Sequence, residues 1–138
     1  MPNEPRELRP ELRQFFDEQV ELVLAELPQQ VKDFIENVPL FVEDFPSAEV
    51  MQRMHIRHPA NLLGLYSGVP LIQRSVDQTR MMSDVIHIYR LGIMSSSRSR
   101  NGSLNEAQLR KQIRKTILHE YGHHVGLTES DLRELGYG

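Results

Sequence analysis

The sequence predicts an α+β fold. Three features predict it: an amphipathic stretch from Glu11 to Leu27, three short apolar or β-branched runs, and a long C-terminal stretch whose apolar residues recur every four positions. The 138 residues suffice for one domain that buries roughly two thirds of its unfolded surface. We therefore expect a flexible lead-in at 1–9 and a single domain over 10–138.

Taken in order, Pro10 suits the first turn of a helix. Leu12, Phe15, Phe16, Val20, Val23, Leu24 and Leu27 then place one apolar face on it. Pro28 stops this helix and opens a short second one through Glu36. Val38 to Glu43 reads as a strand, with Pro39 near its start or on an edge because proline gives no ladder donor. Ala48 to Ile56 reads as a helical turn, and Pro59 ends what precedes it. Leu62 to Tyr66 is a short strand entering a turn, and Leu71 to Met82 a polar connector. Asp84 to Leu91 is the clearest strand, with Ile86 and Ile88 on one side and Val85, His87 and Tyr89 on the other. Ser95 to Ser103 reads as a flexible basic loop. Ser103 and Glu106 form a capping-box pattern that opens the long helix, which Leu109, Ile113 and Ile117 anchor.

Composition excludes several classes. A net charge of −3 creates no overall field toward nucleic acid or anionic membrane. The absence of cysteine excludes disulfides, thiolate metal ligands and a cysteine nucleophile, and suits a reducing, cytoplasmic location. Met1 to Pro10 carries no apolar targeting segment, and no apolar run is long enough to span a bilayer. Arg98, Arg100, Arg110, Lys111, Arg114 and Lys115 make a local basic cluster that suits RNA or an acidic peptide. No aromatic residues are interleaved to stack on bases, so a solvated face is the simpler expectation.

The chemistry concentrates at Thr116–Glu129, which holds H-E-x-x-H at His119, Glu120 and His123, then Gly126 and Glu129. Helix positions four apart lie on one face, about 5–6 Å between Cβ atoms, so both imidazoles can bind one zinc ion. Glu120 is rotated about 100° from His119 and borders that face, where a carboxylate can take a proton from a zinc-bound water. Gly126 is placed to end the helix in a left-handed turn, which returns Glu129 toward the metal as third ligand. Thr128 can cap a final short helix with Glu129 and Asp131 in its first turn, and Asp131 is the alternative third ligand. His124 points away from the metal face and reads as a packing or hydrogen-bonding residue. His55 and His58 form a loop pair better explained as solvated than as ligands.

These residues resemble the zincins, and H-E-Y-G-H-H-V-G-L-T-E-S-D-L-R-E-L-G-Y resembles more closely a small bacterial family of minimal zincin-like metallopeptidases with an H-E-x-x-H-x-x-G-x-x-[D/E] signature. Leu62 to Leu71 and Val85 to Arg90 are similar to that family too, so the resemblance spans about residues 12–137. It implies a short, mostly antiparallel or mixed sheet of about three strands packed on the active-site helix, with a helix before it and a short one after. By position it implies that His119, His123 and Glu129 bind zinc and that Glu120 is the base. Metzincins instead carry a third histidine where Glu129 stands and a downstream methionine turn. Neither is present here, so only the glycine-turn geometry is shared. The second subdomain that builds specificity pockets in larger peptidases does not fit this length, so tight sequence-specific cleavage is not expected.

The expected activity is therefore hydrolysis of a peptide or protein substrate by a zinc-dependent metallopeptidase, with Glu120 moving the proton. If the strand Asp84–Leu91 is an edge, substrate can pair with it by β-augmentation. Tyr137, Tyr66 and His87 are the candidate oxyanion donors. Metal-dependent hydrolysis of RNA, a catalytically silent zinc site and a metal-free protein remain as other readings. Two imidazoles and a carboxylate also suit iron, cobalt or manganese.

Overall fold

The apolar spacing after Pro10 becomes helix α1 (Pro10–Glu26), with proline in its first turn and Phe16, Val20 and Val23 buried. The computed structural model describes residues 7–68, 84–99 and 101–134, apart from the side chains of Phe34 and Leu132. The connector expected at Leu71–Met82 lies outside them. The second helix, α2 (Gln29–Asn37), begins after Pro28, whose carbonyl accepts from Val31 and Lys32. Strand β1 (Leu40–Glu43) starts later than its apolar run, because Pro39 has no N–H to give. The Pro39 carbonyl still accepts from the Ile86 N–H. Ser47 Oγ accepts from the Val50 N–H at 3.1 Å and caps α3 (Ala48–Arg53).

A 3-10 turn at Pro59–Asn61 precedes β2 (Gly64–Ser67), and β3 (Val85–Tyr89) completes the sheet. The strand order is β1-β3-β2, with β1 parallel and β2 antiparallel to β3. This is the small mixed sheet the resemblance implied. The strand read as a possible edge is central, however, which corrects the expectation that substrate could pair along Asp84–Leu91. Among the described residues the edges are β1 and β2.

That strand is also shorter than expected. Arg90 leaves it directly into α4 (Arg90–Ser97), a helix where the sequence reads strand end and flexible loop. One glycine and three serines give it poor intrinsic propensity. Burial of Gly92, Ile93, Met94 and Ser97 overrides that preference.

The long helix α5 (Glu106–His124) forms as expected, but its cap is Asn105, whose Oδ1 accepts from the Gln108 N–H at 3.1 Å. The Ser103–Glu106 box does not form. Asn101 Oδ1 takes the Ser103 N–H at 3.0 Å, and Arg98 bridges Leu104, so Ser103 is held in the preceding turn. Leu109, Ile113 and Ile117 are fully buried with Phe16 of α1 and with Ile86 and Ile88 of β3. The opposite sheet face carries His87, paired with Glu43, and Phe41, which is 50% exposed. Among the described residues no helix is long and apolar enough to cross a membrane.

Candidate metal centre

The end of α5 supplies the first two donors. His119 and His123 stand one turn apart, with Nε2 atoms 3.0 Å from each other and ring centroids at 4.7 Å. The helix then stops in the way the sequence expects. Gly126 takes a left-handed φ of 91°, its N–H donates to the His123 carbonyl at 3.0 Å, and the Leu127 N–H donates to the Gly122 carbonyl at 2.9 Å. The reversal feeds α6 (Glu129–Glu134), whose first residue brings Oε1 to 3.0 Å from His123 Nε2 and 3.4 Å from His119 Nε2. Among the described residues this is the group of histidine and acidic side chains that could hold a metal ion.

Asp131, the alternative ligand, faces elsewhere. It accepts from the Thr128 N–H at 2.9 Å, and its own N–H donates to Thr128 Oγ1 at 3.1 Å. Hydrogen bonds from the Thr128 N–H and from the Thr128 side chain hold its carboxyl below the ordinary range. The reciprocal cap, with Thr128 in the role expected of it, assigns Asp131 to starting α6 and leaves Glu129 turned to the imidazoles.

Glu120 lies beneath this group, only 7% exposed. Burial raises its pKa to about 7, with the Glu129 charge adding; the His119 charge and a hydrogen bond from the Tyr66 backbone N–H oppose the rise. Burial also lowers the pKa of His123, as does neighbouring His119, while Glu129 opposes the shift. Gly64 of β2 allows this packing. A Cβ there would stand 2.8 Å from Thr116 Cγ2 and 3.1 Å from Glu120 Cγ, so β2 and α5 approach only because residue 64 has no side chain.

Two connected hollows open over the site. One, about 610 Å³, runs along Gly64 to Gly68 beside His119, Glu120, His123 and Glu129, with Met54, Leu65 and Leu127 also in its wall. The other, about 360 Å³, shares Leu62, Gly64, His119 and Glu120 and extends to Gln112 and Lys115. The cleft thus follows an edge strand past the imidazole pair.

The other expected residues fall in different places. Tyr66 lines the larger hollow, with its ring edge-on to His124 at 5.6 Å. His87 lines neither hollow, because strand alternation turns it to the far face, where it pairs with Glu43. Tyr137 lies outside the described residues. His58 Nδ1 accepts from the Ala60 N–H at 3.0 Å and caps the 3-10 turn. In the basic cluster, Arg98 bonds the Gly102 carbonyl and Arg110 bonds Gln19. Arg100 is outside the described residues.

One residue near the site carried no signal in the sequence. Asp84, at the start of β3, pairs with His124 Nδ1, and both side chains are about 95% buried, at 4% and 5% exposure. The pair joins the entry of the central strand to the turn of α5 that carries His123. His124 is thus the bonding residue the sequence suggested, but its partner is forty positions away and nothing local marks it.

A family model described as zincin-like metallopeptidase matches residues 35–138. A search of curated proteins finds no match. The family implies a metal-dependent hydrolase with a divalent cation, typically zinc. The residues fit such a cation. Four donors at about 2.0–2.1 Å from one centre stand about 3.3 Å apart, and the three donor atoms here are separated by 3.0, 3.0 and 3.4 Å. Two neutral imidazoles and a carboxylate are also the donor set of an open, catalytic zinc site. With the matched segment spanning β1 through α6 and so the whole of this cluster, the chain belongs to the zincin-like metallopeptidase family.

Proposed function

We propose that the protein is a zinc-dependent peptidase acting on peptide or protein substrates. The observation that carries the reading is the convergence of His119, His123 and Glu129 over a buried Glu120, inside a cleft that runs along a sheet edge. In this reading His119 Nε2, His123 Nε2 and the Glu129 carboxylate hold the ion. A bound zinc supplies Lewis acidity, polarising the scissile carbonyl and acidifying the attacking water.

The remaining steps belong to the chain. Glu120, with a pKa of about 7, matches the demands of a group that takes a proton near neutral pH and gives it up again. Its carboxylate accepts the proton of the attacking water and then passes it to the leaving amine nitrogen. The Tyr66 N–H orients that carboxylate from β2. An extended substrate pairs along β2, which takes over the part the sequence gave to the central strand. Tyr66 lines the cleft, but its hydroxyl is buried and is not presented to an oxyanion. A chain without cysteine needs no oxidising compartment, which supports a cytoplasmic site of action.

The experiment is hydrolysis of a fluorogenic peptide library by zinc-loaded protein, beside Glu120→Gln. We expect cleavage by the native protein and a loss of about 10²–10⁴-fold in the variant. Equal rates in both would remove Glu120 as the proton carrier. Cleavage of RNA but not of any peptide would replace the peptidase reading with the nuclease one.

A further inference from the structure

We propose that Lys115 makes the smaller hollow a subsite for a substrate carboxylate placed on the C-terminal side of the scissile bond. The inference rests on the peptidase reading and adds to it a direction and a chemical preference.

The observations concern the two ends of the cleft. Lys115 lies one helical turn before His119, and it lines the same hollow as His119 and Glu120. It is half-buried and, among the described residues, has no hydrogen bond or ion pair. Lys111 and Arg114, its exposed neighbours at four and one positions, are likewise without an ionic partner among the described residues, so a cationic ridge leads into this end of the cleft. The ridge stands out on a chain of net charge −3. The larger hollow has Met54, Leu65 and Leu127 in its wall, together with Glu129. The wall of the smaller hollow beside Lys115 is Leu62, Leu63 and Gly64. An anionic group that enters there meets the ammonium against low-dielectric surroundings, where the attraction is stronger than in open solvent.

Geometry adds the direction. β2 runs from Gly64, at the Lys115 end, to Ser67, at the Glu129 end. A peptide amine placed beside Lys115 would be repelled, so the carboxyl end of the substrate lies there and the chain runs antiparallel to β2. Four residues of helix rise about 6 Å, which equals about two residues of extended peptide. The carboxylate therefore falls one or two residues past the bond that is cut. It belongs either to an acidic side chain at that position or to the free C-terminus of the substrate. A peptide is favoured over an oligonucleotide because, among the described residues, no phenylalanine, tyrosine or tryptophan lines the hollow for base stacking, and its wall is a strand that can pair with an extended backbone.

Binding, measured apart from catalysis, tests this. Zinc-loaded Glu120→Gln protein is titrated by fluorescence anisotropy with labelled peptides of one sequence. These carry a free C-terminal carboxylate, a C-terminal amide, or an amide with glutamate in place of glutamine near the end. The same titrations follow with Lys115→Met and Lys115→Glu added, and an oligouridylate serves as the nucleic-acid probe. We expect one or both carboxylate forms to bind about three- to tenfold tighter than the plain amide. The preference should vanish in Lys115→Met, reverse toward the plain amide in Lys115→Glu, and shrink with added salt. A preference for the free terminus alone assigns a C-terminal trimming role. A preference shared by the glutamate form assigns an acidic side chain. Equal binding of acid and amide forms, no peptide binding, or a preference that persists in Lys115→Met, overturns the proposal. So does Lys115-dependent binding of the oligouridylate in place of the peptides. Failure of the native protein to cleave any peptide, with this binding pattern intact, removes the peptidase reading and leaves the carboxylate site.

Discussion

Glu120 is under two opposed demands. Burial raises its pKa from 4.5 to about 7, so the folded chain holds its proton more tightly than the unfolded chain does. Between those values the native state binds more protons, and stability falls as pH rises. Glu120→Gln removes that loss. In metal-free protein the variant should gain on native protein from about pH 4.5 upward, reaching about 3 kcal/mol above pH 7 in urea denaturation, although we expect it to lose activity. A variant less stable than native protein at pH 8 would show that Glu120 is not held against its own charge. The two acids that follow make a second comparison at this scale. Glu129→Gln should weaken zinc binding about a hundredfold or more, since even groups that only support a ligand cost 10- to 100-fold. Asp131→Asn should leave zinc affinity within about twofold and weaken only the α6 cap. Calorimetric titration with zinc separates them, and equal losses would return Asp131 to the ligand set.

At the scale of elements, the site is a contact between a helix and an edge strand. Gly64 sets its distance. Gly64→Ala forces a methyl against Thr116 and Glu120, which should cost about 1–3 kcal/mol. It should also lower kcat more than it raises KM, because the displaced group is the proposed proton carrier rather than the substrate wall. A variant with native kcat would show that β2 and α5 tolerate separation. How legible each element was follows from its physics. α1 and α5 carry long apolar stripes of helical period, and both appear where the sequence put them. α4 does not announce itself, because its helicity comes from burial rather than propensity. The α5 cap slips from Ser103 to Asn105, since two side chains compete for neighbouring N–H groups and the preceding turn takes Ser103 first.

For the whole molecule, Asp44 is the tie between layers. It accepts from Arg13 of α1, from Arg90 at the start of α4 at 2.9 Å and from the Leu8 N–H at 3.1 Å, and Arg90 also bonds Asp17. Burial alone would raise the Asp44 pKa, but these three partners outweigh it and hold the carboxyl below its ordinary value of 3.8. Its contribution is therefore full above the ordinary carboxylate range and is lost as pH falls below it. Asp44→Asn should cost about 3 kcal/mol at pH 7, by leaving Arg90 poorly compensated. The difference from native protein should narrow in acid, and urea midpoints at pH 7 and pH 3 measure both. Metal acts on the same scale. Zinc at a hundred times its Kd should stabilise the native protein by about 2.7 kcal/mol, and His123→Ala should abolish that increment.

The sequence by itself determined the imidazole pair and the turn that follows it. Helical period places His119 and His123 on one face, and a glycine three residues later must turn the chain, because only glycine takes φ of 91° without strain. Those are local facts, written in spacings of three and four. Tertiary structure alone decided which strand borders the cleft, that Glu129 rather than Asp131 turns to the imidazoles, that Asp84 meets His124, and that Lys115 shares a hollow with His119. Each of these joins residues whose partner lies on another element or whose side chain has two local options, and sequence pattern carries no term for that competition. Only packing the sheet against α5 resolves it.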